Sequence, residues 1–175
     1  MTQQSDIRVE RQSQATEIIT RLQAHMPEVL AQFPVDMAYL HGSVARGCPL
    51  PSSDVDIALV LTEVPPPYER LILELKIQAA LEDACGLTNL DVRTVNHVPL
   101  MVQGSIIQEG LLLYSRDKDG RIAFEILTRK KYFDYQPIAV RMQRAFLNHI
   151  RRKGLLSGQS KNAYVHSQQP AELPG

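Results

Sequence analysis

Apolar and polar positions recur along this chain with two different periods, and the switches between them mark out its elements. Ala15, Ile18, Ile19, Leu22, Met26, Val29, Leu30 and Phe33 fall at helical spacing and predict an N-terminal helix with one apolar face. Pro27 is expected to end or kink that helix, or to open a second short one, and Pro34 to stop it. Val35 to Leu40 reads as a first strand, and His41 to Cys48 as a turn with a short helix, closed by Pro49 and Pro51. From Asp54 to Thr62 the pattern alternates and then runs apolar, as a buried strand does. Pro65-Pro66-Pro67 is a rigid connector, and Tyr68 to Ala84 a helix ended by Gly86. Leu90 to Val95 alternates strictly, which gives a third strand with one buried face. Pro99 to Glu109 is a short helix and Leu111 to Tyr114 a fourth strand. The stretch from about Arg121 to Lys153 is helical in composition, broken or kinked by Pro137. Helix and strand thus alternate throughout, which predicts an α/β (α+β) fold: one mixed-sheet domain of about four strands flanked by helices. The boundaries read as a helical segment over 1–33, the sheet domain with its C-terminal helices over 34–153, and a disordered Ser/Gln/Pro/Gly-rich tail over 154–175.

Composition agrees with one globular core. The chain has 175 residues, 44% of them hydrophobic and 22% charged. Its longest apolar run, Ile57 to Leu61, is far below the ~20 residues of a membrane helix, and Met1 to Asp6 lack the features of a signal peptide. Cys48 and Cys85 are too few for a disulfide framework and have no metal-ligand spacing, so a reduced, cytoplasmic protein without membrane attachment is expected. Formal net charge is zero. Charge is nevertheless uneven: Arg129, Lys130, Lys131, Arg141, Arg144, Arg151, Arg152 and Lys153 are accompanied by one acid, Asp134. Such a run either attracts nucleic acid or an acidic partner, or is a solvated helix face; direct nucleic-acid binding stays open and the solvated face is favoured.

Candidate chemistry concentrates in His41-Gly42-Ser43-Val44-Ala45-Arg46-Gly47 and Ser52-Ser53-Asp54-Val55-Asp56-Ile57-Ala58-Leu59. A strand there delivers a glycine and a serine to the start of a short helix, where backbone can approach an anion closely. Ser43 can cap that helix or turn its hydroxyl to a phosphate oxygen. Asp54 and Asp56, two residues apart on a strand, leave one face of the sheet. Carboxylates that close need a cation between them or a raised pKa, and magnesium accepts carboxylate and phosphate oxygens together. Asp91, on the third strand, faces away from Leu90 and Val92; if that strand neighbours the Asp54 strand, three acids converge. Two metal ions held there would activate a hydroxyl and neutralise a leaving pyrophosphate, with Asp91 as shared ligand or proton acceptor. Taken singly, each feature has an ordinary explanation: a capped turn, a solvated strand edge, a surface aspartate. Together, on strand–helix–strand elements, they are hard to dismiss.

Gly42-Ser43, ten intervening residues and Asp54-Val55-Asp56 resemble the signature of the polymerase β-like nucleotidyltransferase superfamily. The words Gly-Ser-Val-Ala-Arg-Gly and Ser-Asp-Val-Asp-Ile-Ala-Leu-Val resemble its minimal nucleotidyltransferase (MNT) branch. Asn89-Leu90-Asp91-Val92, Ile107 to Tyr114, and Tyr132-Phe133-Asp134-Tyr135-Gln136-Pro137 resemble its later segments, so the likeness runs from Val35 to Ile150. It implies an antitoxin paired with a HEPN-type ribonuclease toxin, moving AMP from ATP to a toxin tyrosine with Mg2+, two ions being expected. Carried over by position, Asp54, Asp56 and Asp91 are the catalytic acids and metal ligands, and Gly42, Ser43 and Arg46 hold the nucleotide. A structural role for Arg46 is equally open. Pro49 and Pro51 stiffen the loop within the motif.

Weaker candidates are His41, as nucleotide contact or strand-end hydrogen bonder, and Tyr132 and Tyr135, read as core residues rather than base stackers. Cys48 reads as a packed small residue rather than a nucleophile. Two other functions compete with the antitoxin: a transferase acting on a small molecule such as an aminoglycoside, and a non-catalytic toxin-binding module. The first is expected to need an extra acceptor domain for which this length leaves little room, and the second to have lost motif residues that are all present here. The N-terminal amphipathic helix and the basic helix after Arg129 are candidate partner surfaces, with core packing or solvation as the plainer alternative.

Overall fold

The computed structural model describes the backbone from residue 2 to 153 and side chains from 6 to 152; the tail reading for 154–175 lies outside the described residues. The elements follow in the order α1 (Thr2–Leu30), β1 (Val35–His41), α2 (Gly42–Ala45), β2 (Val55–Leu61), α3 (Pro67–Cys85), β3 (Leu90–Thr94), α4 (Leu100–Glu109), β4 (Leu111–Ser115) and α5 (Lys118–Lys153). The expected alternation of helix and strand is therefore the observed one. Four strands form one mixed sheet in the order β3-β2-β1-β4, with β1 antiparallel to β2 and β4, and β2 parallel to β3.

Both faces of the sheet are covered. On one side Leu22, Met26 and Leu30 of α1 and Ile77 and Leu81 of α3 close over Leu40, Ile57, Leu59 and Val92, all nearly or fully buried. This explains why α1 runs through Pro27 to Leu30 instead of ending there. The proline removes one backbone donor, but Met26 and Leu30 on either side of it are fully buried, and tertiary packing outweighs the local cost. Those contacts also answer what the apolar face of α1 does: it is core. On the other side Met37, Tyr39, Ala58, Val60 and Val95 pack with Ile106 and Ile107 of α4 and Phe124 of α5.

Polar side chains pin the edges. Glu82 and Glu74 on α3 accept hydrogen bonds from the Leu90 and Thr94 amides at the two ends of β3, at 3.1 and 2.9 Å. Gly86 ends α3 in the left-handed conformation. The Tyr39 hydroxyl donates to Glu125 of α5 at 3.0 Å, and Arg121 and Arg129 flank the same carboxylate. Burial, helped by this carboxylate, pushes the Tyr39 phenol well above its ordinary range.

α4 and α5 meet at Gly104, which is buried; a Cβ there would overlap the ring of Tyr132. Tyr132 thus packs on a helix as expected, whereas Tyr135 is 39% exposed, because its position on α5 turns it away from that contact. Gly104→Ala is expected to lower stability by about 1–3 kcal/mol through overpacking, read as a fall in the urea midpoint at unchanged m-value.

The chain divides into two compact units after Gln136. The second, described from Pro137 to 153, is helical, with Ile138, Met142, Phe146 and Leu147 exposed beside the basic residues. No described helix is long and apolar enough to cross a membrane.

Candidate active site

Strand pairing assembles the site at one end of the sheet. His41 lies opposite Asp56 in the β1–β2 ladder, and Asp56 lies opposite Asp91 in the β2–β3 ladder. Residues in one rung point to the same face, so His41, Asp56 and Asp91 form a row on the side where Tyr39 and Ala58 are covered by helices. The row itself is only half-buried. The condition that β3 be a neighbour of β2 is met. Asp54 is placed differently from expectation: it precedes β2 by one residue and is exposed, because the strand's ladder starts at Val55, whose amide donates to the Asn89 carbonyl at 2.9 Å.

Gly42 follows His41 with φ +75, in the left-handed region. A Cβ at this position would run into Oδ2 of Asp56 and stand 3.0 Å from its Cγ. The glycine is thus required twice, once by its backbone and once by the carboxylate lying against it. α2 then spans only Gly42–Ala45, with no side-chain cap from His41, so anion binding here would rest on individual N–H groups rather than on a helix dipole. Ser43 is half-buried at its start.

The electrostatics are those of acids held close together and partly out of water. Burial pushes the Asp56 carboxyl above its ordinary value; Asp91 and Asp54 push further, and His41 and Arg46 oppose them. Burial likewise lowers the His41 pKa, with Arg46 adding to the shift and Asp56 and Asp91 opposing it. Asp91 is engaged by Arg93, two residues on along the same face, whose Nε donates to it at 2.8 Å. Among the described residues no three acidic, histidine or cysteine side chains form a ready-made metal cage. The oxygen donor set nevertheless suits a hard divalent ion that completes its shell with phosphate oxygens.

The raised Asp56 pKa has a sign. Folding favours the protonated form, so its contribution to stability is present below the ordinary value of 3.8 and is lost as pH rises through the folded value. In chelator, Asp56→Asn is therefore expected to melt above the parent chain at neutral pH. That gap in Tm should close as pH falls below about 4; a gap that is constant with pH would contradict the shift.

Arg46 is exposed at the end of α2, close enough to shift both His41 and Asp56. Cys48 is exposed rather than packed, because it follows the turn that ends α2 and lies at the surface there; Cys85 is the buried cysteine. Arg93 escaped the reading of the sequence, although its i+2 spacing from Asp91 on a strand was the available signal.

The geometry can be set beside known proteins. The chain resembles a chain of a toxin–antitoxin crystal structure with AMP-PNP at 19% identity and TM-score 0.51, over 78% of this chain and 98% of that one. It resembles a chain of the toxin–antitoxin MntA-HepT at 16% identity and TM-score 0.50, over 71% and 92%. At such identities the likeness is one of fold. No curated protein matches in sequence. The model of the family described as polymerase beta, nucleotidyltransferase, matches residues 25–119. That span is more than half of the chain and contains Gly42, Ser43, Asp54, Asp56 and Asp91, and with it the chain belongs to the polymerase beta nucleotidyltransferase family.

Proposed function

We propose that the protein is the antitoxin of a HEPN/MNT pair and transfers AMP from ATP to a tyrosine hydroxyl of its cognate ribonuclease toxin, with Mg2+, in the cytoplasm. The observation that carries the chemistry is the single rung holding Asp56 against Asp91, with Gly42 cleared of any side chain beside it. The acceptor is supported by the fold shared with toxin–antitoxin structures, one of them containing AMP-PNP.

In this reading the tyrosine oxygen forms a bond to the α-phosphorus of ATP as the bond to pyrophosphate breaks. The hydroxyl proton passes to a carboxylate, for which Asp91 is the candidate base. Asp54, Asp56 and Asp91 would hold Mg2+, which supplies charge neutralisation on the phosphates and leaving pyrophosphate. Gly42 and Ser43 bind the phosphates through backbone N–H and hydroxyl groups, and Arg46 adds positive charge. Arg93 positions the Asp91 carboxylate.

The test is intact-mass spectrometry of the protein with ATP, Mg2+ and the product of the adjacent gene. Addition of AMP to that partner is expected, at one or more tyrosines. A partner that binds but stays unmodified, with ATP unspent, would replace catalysis with simple masking.

A further inference from the structure

We propose that Arg8 and Arg11 of α1 join Arg46 in a pocket that takes the polyphosphate tail of the nucleotide. This deepens the transferase reading and rests on it, adding two residues from outside the motif.

The pocket has a volume of about 650 Å3, and its walls include Arg8, Arg11 and Gln12 from one side and Arg46, Gly47 and Cys48 from the other. It contains three guanidinium groups and no carboxylate. What distinguishes these arginines is the pairing of the rest. In the unit ending at Gln136, Arg21, Arg70, Arg93, Arg116, Arg121 and Arg129 each have an acidic partner within 4.0 Å. The guanidinium groups of Arg8, Arg11 and Arg46 have neither an ion pair nor a hydrogen bond among the described residues, and all three line this one hollow. Gathering like charges around a concave surface is unfavourable unless an anion completes it. Guanidinium forks match phosphate oxygens in pairs, which a lone ammonium does not.

Location selects the anion. Arg46 is the third residue after Ser43 and caps the short α2, whose first residue, Gly42, lies against the Asp56 carboxylate, so the pocket adjoins the carboxylate row. A nucleotide whose α-phosphate lies at the acids has its remaining phosphates to place nearby. An RNA backbone is the competing source of phosphate, and the experiment separates the two.

The probes are inorganic tripolyphosphate without metal, AMP, and an RNA oligomer lacking terminal phosphates, each titrated calorimetrically into the full chain. The parent chain is expected to bind tripolyphosphate. Arg8→Ala and Arg11→Ala should each weaken it about tenfold, the effect of one charge-assisted hydrogen bond, and leave AMP binding unchanged. Arg21→Ala, which removes an arginine already paired with Glu17, should have no effect. Both pocket positions border solvent, so their truncation leaves the core untouched. Tripolyphosphate binding that is absent, or equal in parent and variants, overturns the pocket, as does RNA binding that alone depends on these arginines. The KM for ATP decides independently: AMP transfer with unchanged KM in the double variant overturns the pocket and spares the transferase. Tripolyphosphate capture by a chain that transfers no AMP overturns the transferase and spares the anion site.

Discussion

Asp56→Asn is expected to reduce the proposed AMP transfer about a thousandfold while leaving the chain folded. The substitution keeps size and shape and removes the charge at the centre of the row, between His41 on one strand and Asp91 on the other. Electrostatic stabilisation of a transferring phosphoryl group by carboxylate-held metal is worth several kcal/mol, and about 4 kcal/mol is a factor of a thousand in rate. The fold should survive because the Asp56 side chain makes no hydrogen bond to the sheet or helices among the described residues and lies beside, not within, the cluster of Ala58, Val60 and Ile106. The measurement is initial rate of partner modification at saturating Mg2+, with near-ultraviolet circular dichroism as the folding control. A rate within tenfold of the parent would remove Asp56 from the catalytic set.

Gly42→Ala should cost on the order of a hundredfold in the same assay, and stability as well. The left-handed backbone at φ +75 penalises any Cβ by about 1–2 kcal/mol. The larger effect is spatial: the new methyl takes the volume of the Asp56 Oδ2, so the carboxylate has to move. Displacing a reacting group by about an ångström is enough for a hundredfold loss of rate. Because the damage is transmitted through Asp56, the two substitutions should not add. The double variant Gly42→Ala/Asp56→Asn should be about as inactive as Asp56→Asn alone. Multiplicative losses would mean that Gly42 acts separately, through its backbone contact with phosphate.

Much of this architecture is legible in the order of residues. Alternation at Leu90–Asp91–Val92, a period of two, told which way Asp91 faces, and the continuous apolar run after Asp56 told that its strand is buried, because both are local properties of the sequence. What is not local was not legible. The helix between Asp56 and Asp91 suits a parallel crossover, but nothing local announces that β2 and β3 are direct neighbours, since that depends on how α3 packs back on the sheet. Pro27 misleads for the same reason: its cost is local, and the burial of Met26 and Leu30 that overcomes it is tertiary. The second requirement on Gly42 becomes visible only when Asp56, from a different strand, is laid against it. Nothing in the sequence singles out Arg8 and Arg11, which meet Arg46 across a pocket only in the folded chain.

The rung that joins Asp56 to Asp91 also makes activity a report on folding. Adjacent residues of a strand face opposite ways, so sliding β3 by one position would press Asp91 against α3 and turn Leu90 and Val92 outward. A chain misassembled in this way forfeits its hydrophobic interior and its chemistry in the same step. Compact but wrongly paired molecules are therefore silent in any rate assay. The active fraction of a preparation, measured by nucleotide turnover, counts the molecules whose edge strand has found its place.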